Sequence, residues 1–155
     1  MRPVEELRFL ILAAQREGNR MLSQALRPLG ITPAQAEVLR LLQDHQPLTL
    51  FGLGELLVCE SGASPSRLVD RLVTAGLVSR VESPTDRRQV SLTLTADGRR
   101  VARRVATVEE QLYLKLDAAT AGHDTSGVIA LLRDFVADLP AGMAVARRRS
   151  DRSGD

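Results

Sequence analysis

Between residues 61 and 104 nine arginines stand against four acids, and between residues 105 and 146 two basic residues stand against six acids, so a net charge of only +2 hides two opposed regions. The planar donor fork of arginine matches phosphate oxygens in pairs, which suits the basic stretch to a polyanion. A solvated surface would look the same by count, because Lys115 is the one lysine among 21 basic residues of this chain. Order along the stretch says more. Ser64-Pro65-Ser66-Arg67 opens a run in which Leu68, Val69, Leu72 and Val73 face one side at helical spacing and Arg67, Asp70 and Arg71 face the other. Hydroxyl and guanidinium groups on the first turns of a helix can hydrogen-bond base edges and phosphates. Ser64 and Ser66 are also good helix caps, and the two roles can coexist.

Other chemistry lacks its parts. His45 and His123 have no neighbours at metal-ligand spacing, no glycine loop is built to cradle phosphate, and no serine, histidine and acid set can be assembled. The sequence therefore predicts no enzyme, no metal and no cofactor. The one cysteine, Cys59, cannot form an internal disulfide, which fits a reducing compartment. No apolar run approaches the roughly 18 residues of a membrane span, and no signal-peptide pattern is present, so a cytoplasmic protein is expected.

The 155 residues, 44% of them apolar, suffice for one compact core. The first helix is predicted from about Val4 to Pro28, with Val4, Leu7, Ile11, Ala14, Gly18, Met21 and Ala25 along one seam and Leu10, Leu12 and Leu22 beside it. That helix needs cover on more than one side. Thr32-Pro33 starts a second helix reaching about His45, and Thr49 caps a third that ends near Val58, weakened by about 1 kcal/mol at each of Gly52 and Gly54. Pro65 suits the first turn of the fourth helix, and Gly76 ends it.

The apolar period then changes to two. Leu77–Val81 and Val90–Leu94 are predicted strands, joined by a charged loop from Glu82 to Gln89. Thr95 caps a long helix carrying Val101, Val105, Val108, Leu112 and Leu116. A last helix is expected from about Ser126 to Val145, with a frayed charged tail over residues 147–155.

On these residues the chain resembles the MarR family of bacterial regulators. The likeness is carried by Ser64-Pro65-Ser66-Arg67-Leu68-Val69-Asp70-Arg71-Leu72, Gly76-Leu77-Val78-Ser79-Arg80, Asp86-Arg87-Arg88 and Leu92-Thr93-Leu94-Thr95-Ala96-Asp97-Gly98, in matching order and spacing. Pro65 departs from the β-branched residue usual there. The resemblance implies a mainly α fold with a small β-hairpin wing: a winged helix-turn-helix over about residues 32–95, with dimerisation helices over about 4–28 and 96–146 in one domain spanning 1–146.

It also implies function. The expected partners are double-stranded DNA with a palindromic operator, a second copy of the chain as homodimer, and a small-molecule effector; repression is the expected mode, and no membrane is involved. Ser64, Ser66 and Arg67 are assigned to the major groove, Arg71 to the DNA backbone, and Pro65 at most to a thymine methyl. Of the wing trio, Arg88 is assigned to the minor groove, Arg87 to phosphate and Asp86 to orienting them, against the simpler reading of a solvated turn. Arg16, Asn19 and Arg20 are candidates for a phenolic or carboxylate ligand, with salt bridges to acids such as Glu17 or Glu37 as the competing reading. Cys59 is a redox candidate, yet peroxide-sensing relatives keep their cysteine near the start of the first helix, so a small buried or half-buried thiol is favoured. A winged-helix module that binds protein instead of DNA is the remaining alternative.

Overall fold

The computed structural model describes residues 1–59, 62, 64–82 and 90–152. Helix α1 (Pro3–Leu26) ends in a 3-10 turn (Arg27–Leu29), followed by α2 (Pro33–His45), β1 (Leu48–Thr49), α3 (Leu50–Leu56) and α4 (Pro65–Thr74). Strands β2 (Val78–Glu82) and β3 (Val90–Leu94) precede α5 (Ala96–Thr120), α6 (Thr125–Val136) and α7 (Pro140–Arg152). The expected mainly α architecture with a small hairpin is what forms. No helix of the described residues is long and apolar enough to cross a membrane.

Caps define the helix starts. Thr32, Thr49, Ser64 and Thr95 each accept the N–H of the third residue onward, from Gln35, Gly52, Arg67 and Gly98 respectively. Thr32 and Gln35 complete a reciprocal capping box. The sheet is antiparallel with order β1-β3-β2, pairing Leu48 with Leu92 and Arg80 with Leu92 on either side. Strand β1 is absent from the sequence reading because its two residues are too few for an alternation to register.

Leu39, Leu42, Leu53, Val69, Leu72 and Leu92 form the centre of a core shared by α2, α3, α4 and the sheet. The turn after α4 is closed tightly. Gly76 adopts φ +72°, the left-handed conformation a helix C-cap requires. Thr95 donates its hydroxyl to the Gly76 carbonyl at 2.7 Å while accepting from Gly98 N–H at 2.9 Å. Gly98 is demanded by this approach: a Cβ there would lie 1.9 Å from the Leu77 carbonyl oxygen.

Two expectations about the C-terminal end are corrected. The single helix from Ser126 to Val145 is two, because Pro140 cannot continue an α-helix and instead begins α7. Gly142 permits the sharp joint, since a Cβ there would meet the Val136 carbonyl oxygen at 1.8 Å. The frayed tail is corrected for residues 147–152, where α7 continues to Arg152 and Arg147 and Arg148 are anchored on α3 by hydrogen bonds to the Glu55 and Leu56 carbonyls; residues 153–155 lie outside the described residues.

Candidate nucleic-acid interface

Helix α4 is the second helix of a helix-turn-helix pair with α3. It buries Leu68, Val69 and Leu72 and exposes Arg67, Asp70 and Arg71 to solvent. This is the division the sequence predicts, and it arises because the apolar residues recur three and four apart. Ser64 is the N-cap, its hydroxyl accepting the Arg67 N–H at 3.4 Å. That geometry satisfies one orphan donor and still leaves Ser64 exposed.

The other assigned residues divide. Pro65 and Ser66 are half-buried and, with Ser64, line an open cavity of about 830 Å³ between α3, the start of α4 and the start of α7. Phe51, Met143 and Arg147 line its opposite walls. Arg71 lines a smaller cavity with Asn19, Thr32 and Cys59, on the side facing α1 and α2. Asp70 forms an ion pair with Arg80 of β2, which ties the solvent face of α4 to the wing strand. The wing residues Asp86, Arg87 and Arg88 lie outside the described residues.

Of the ligand candidates, Arg16 and Asn19 come together. They line a cavity of about 520 Å³ with Leu12, Leu22, Val58, Cys59 and Leu112. Arg20 does not join them; its Nε donates to Glu17 at 2.7 Å within α1. The expected competition from an acid is therefore met for Arg20, by an exposed pair three residues apart that contributes little.

Cys59 is exposed as a residue. Burial around its sulfur, together with the charge and hydrogen bond of Glu37, nevertheless pushes the thiol up to about 11, with Arg148 opposing them. The expectation of a buried or half-buried thiol is corrected to an exposed residue in a setting that disfavours the thiolate. Reactivity follows the thiolate fraction, so this setting makes a slow nucleophile.

Beside Cys59, sequence reasoning named Glu37 only as a partner for the α1 arginines and read Arg148 as tail. Glu37, on α2, accepts the N–H groups of Val58 and Cys59 and pairs with Arg148 of α7. A signal existed: Glu37 stands one turn from Ala34 and Leu41, both buried, on the apolar face of an otherwise regular amphipathic helix. Nearby, Arg40 Nε donates to Glu109 of α5 at 3.0 Å, and burial pushes the Glu109 carboxyl up despite that partner.

Comparison with known proteins agrees with this geometry. The MarR family model matches residues 29–89, the stretch from the end of α1 through the wing. The organic hydroperoxide resistance transcriptional regulator of Bacillus subtilis is 36% identical over 98 residues, covering 63% of this chain and 66% of that protein. The multiple antibiotic resistance protein MarR of Escherichia coli is 37% identical over 89 residues, covering 57% of this chain and 61% of its own length. The match thus spans somewhat under two thirds of either relative. A crystal structure of a cysteine-to-serine mutant of Escherichia coli MarR complexed with operator DNA superposes with a TM-score of 0.75 at 28% identity, covering 86% of this chain and 95% of that one. A helix-turn-helix with its charged face outward, a wing beside it and this likeness along nearly the whole chain together mean that the chain belongs to the MarR family of winged helix-turn-helix transcriptional regulators.

Proposed function

We propose that this protein regulates transcription by binding a palindromic DNA operator as a homodimer. The observation that carries the reading is the α4 surface, capped at Ser64 and exposing Arg67 and Arg71, in a chain that superposes on a MarR protein bound to its operator. A helix so presented fits the major groove, where Ser64 and Arg67 meet base edges and Arg71 the backbone. Ser66 also meets a base edge, and Pro65 offers at most a contact to a thymine methyl. In the wing, Arg88 enters the minor groove, Arg87 contacts phosphate and Asp86 orients them.

Homodimerisation rests on apolar surface. α1 buries only Leu26 among its 24 residues and α6 buries none of its own. Leu7, Leu10, Ile11, Leu131 and Phe135 are exposed in the single chain, a quantity of apolar surface that calls for a partner helix. Two tethered lobes then add contacts that one module cannot supply.

Repression is the proposed mode. The effector is a phenolic or carboxylate molecule taken by the cavity at Arg16 and Asn19, between α1 and the residues leading to α4. Cys59 is proposed to be a structural thiol, not a sensor, since its setting disfavours the thiolate. No catalytic step is assigned, and the site of action is the cytoplasm.

An electrophoretic shift on a genomic fragment spanning the chain's own upstream region tests the reading. Binding should weaken with salt at a log–log slope near −0.9 per phosphate, for roughly 6–10 phosphates. Arg67→Ala should weaken it further on the operator than on unrelated DNA. A fragment retarded equally by both proteins, or by neither, would contradict the proposal.

A further inference from the structure

Glu37 is the one charged side chain buried among the described residues, at 8% exposure. A carboxylate on the packed face of a helix is costly unless its lone pairs are used. Here they are used by three donors from two different segments. Val58 N–H donates to Oε1 at 2.9 Å and Cys59 N–H to Oε2 at 2.8 Å, while the Arg148 guanidinium, arriving from α7, also binds Oε1. Arg148 then reaches past Glu37, its Nε donating to the Leu56 carbonyl at 2.8 Å. Arg147 adds an ion pair to Glu55 at 2.9 Å and a hydrogen bond to the Glu55 carbonyl at 3.2 Å.

The two arginines therefore hold the last carbonyls of α3, the groups a helix C-terminus leaves without intrahelical partners, and Glu37 holds the N–H groups of Val58 and Cys59 just beyond the Leu57 cap. They also begin the linker to α4: only four residues separate Cys59 from the Ser64 cap. α3 also packs on the start of α4, where a Cβ at Gly54 would lie 3.7 Å from the Pro65 ring, so a displacement at the end of α3 is passed to α4 by contact.

We propose that Glu37 and Arg148 form a clamp by which the placement of α7 sets the placement of α4, with Glu37 the positioning residue for DNA reading. Withdrawing Arg148 leaves the buried Glu37 carboxylate without its counter-charge, so losing the contact is costly. What moves α7 is the element before it. α6 joins α7 through the tight Gly142–Val136 approach and carries an exposed apolar face, so whatever covers that face also positions Arg148. The clamp gives the cover on α6 a physical route to the helix-turn-helix.

The inference rests on the DNA-binding reading above, and its test separates the two. In the full-length protein, Arg148→Gln should raise amide exchange at Val58 and Cys59 about tenfold and weaken binding to the upstream fragment by a similar factor, within the usual range of coupling between sites. Arg148→Lys, which keeps the charge and a donor for Glu37, should fall between. Because both residues act through one contact, Glu37→Gln with Arg148→Gln should lose no more affinity than Glu37→Gln alone. Unchanged exchange in Arg148→Gln, faster exchange with undiminished DNA affinity, or additive losses in the double variant would each overturn the clamp. Should the unmodified protein retard no DNA, the functional reading falls, while the exchange rates at Val58 and Cys59 still decide whether the clamp holds the linker.

Discussion

In the lobe built from α2, α3, α4 and the sheet, Leu39, Leu42, Leu53, Leu72 and Leu92 are at most 1% exposed, whereas Leu10 on α1 and Phe135 on α6 are 59% and 72% exposed. Both regions are rich in leucine and both form regular helices. The difference lies in who supplies the other side of the packing. The lobe closes on itself because three helices and a sheet meet around one point. α1 and α6 lie at the margin and present faces that nothing else among the described residues covers. Among the described residues, the core of the lobe is complete within one chain and the apolar faces of α1 and α6 are not covered.

Substitutions can break this contrast, beginning with the largest effect. Leu72→Ala, at the centre of the lobe, should cost about 2–5 kcal/mol, as large-to-small core changes do, and thermal or denaturant melting will show it. Gly98→Ala should cost about 1–3 kcal/mol by forcing the Leu77 carbonyl aside. Phe135→Asp should change the stability of the single chain by no more than about 0.5 kcal/mol, as surface substitutions do, yet shift sedimentation at micromolar concentration from dimer toward monomer. A large loss of chain stability in Phe135→Asp with the dimer intact would reverse the assignment of the two regions.

The smallest effect concerns Glu109, which joins the lobe to α5. Burial raises its carboxyl pKa above the ordinary 4.5 even with Arg40 beside it. The folded state therefore holds that proton more tightly than the unfolded chain, and the resulting stability is present below 4.5 and lost as pH rises through the folded value. Glu109→Gln should flatten that part of the stability curve, measured by denaturant melts across the range. An unaltered curve would mean that Arg40 cancels the effect of burial.

Most of the fold was legible because its signals are local. Thr32, Thr49, Ser64 and Thr95 announce helix starts by residue type, Gly76 a stop, and the change of apolar period from 3.6 to two marks the strands. What escaped depends on contacts distant in sequence. β1 exists only because Leu48 pairs with Leu92 of β3, 44 positions away. The break at Pro140 was visible as a residue, but the apolar spacing on both sides of it reads as one continuous stripe. Arg148 looked like tail because its partner, Glu37, is 111 residues distant.

The candidate site was legible in part for a related reason. The α4 face follows from spacing, so the exposure of Arg67 and Arg71 was foreseeable. That Ser66 is half-buried beside a cavity shared with α3, and that Arg20 pairs with Glu17 instead of joining Arg16 and Asn19, depends on tertiary placement that spacing leaves open. Cys59 carried no sign of the carboxylate that raises its thiol.

The central claim is that α4 and the wing of two such chains read DNA together, and selection of bound sequences from a random duplex pool by the full-length protein tests it most directly. The account predicts enrichment of an inverted repeat whose half-sites are centred about one helical turn, roughly 34 Å, apart. A pool that stays unenriched after repeated rounds, or one that yields a single unrepeated half-site, would contradict it.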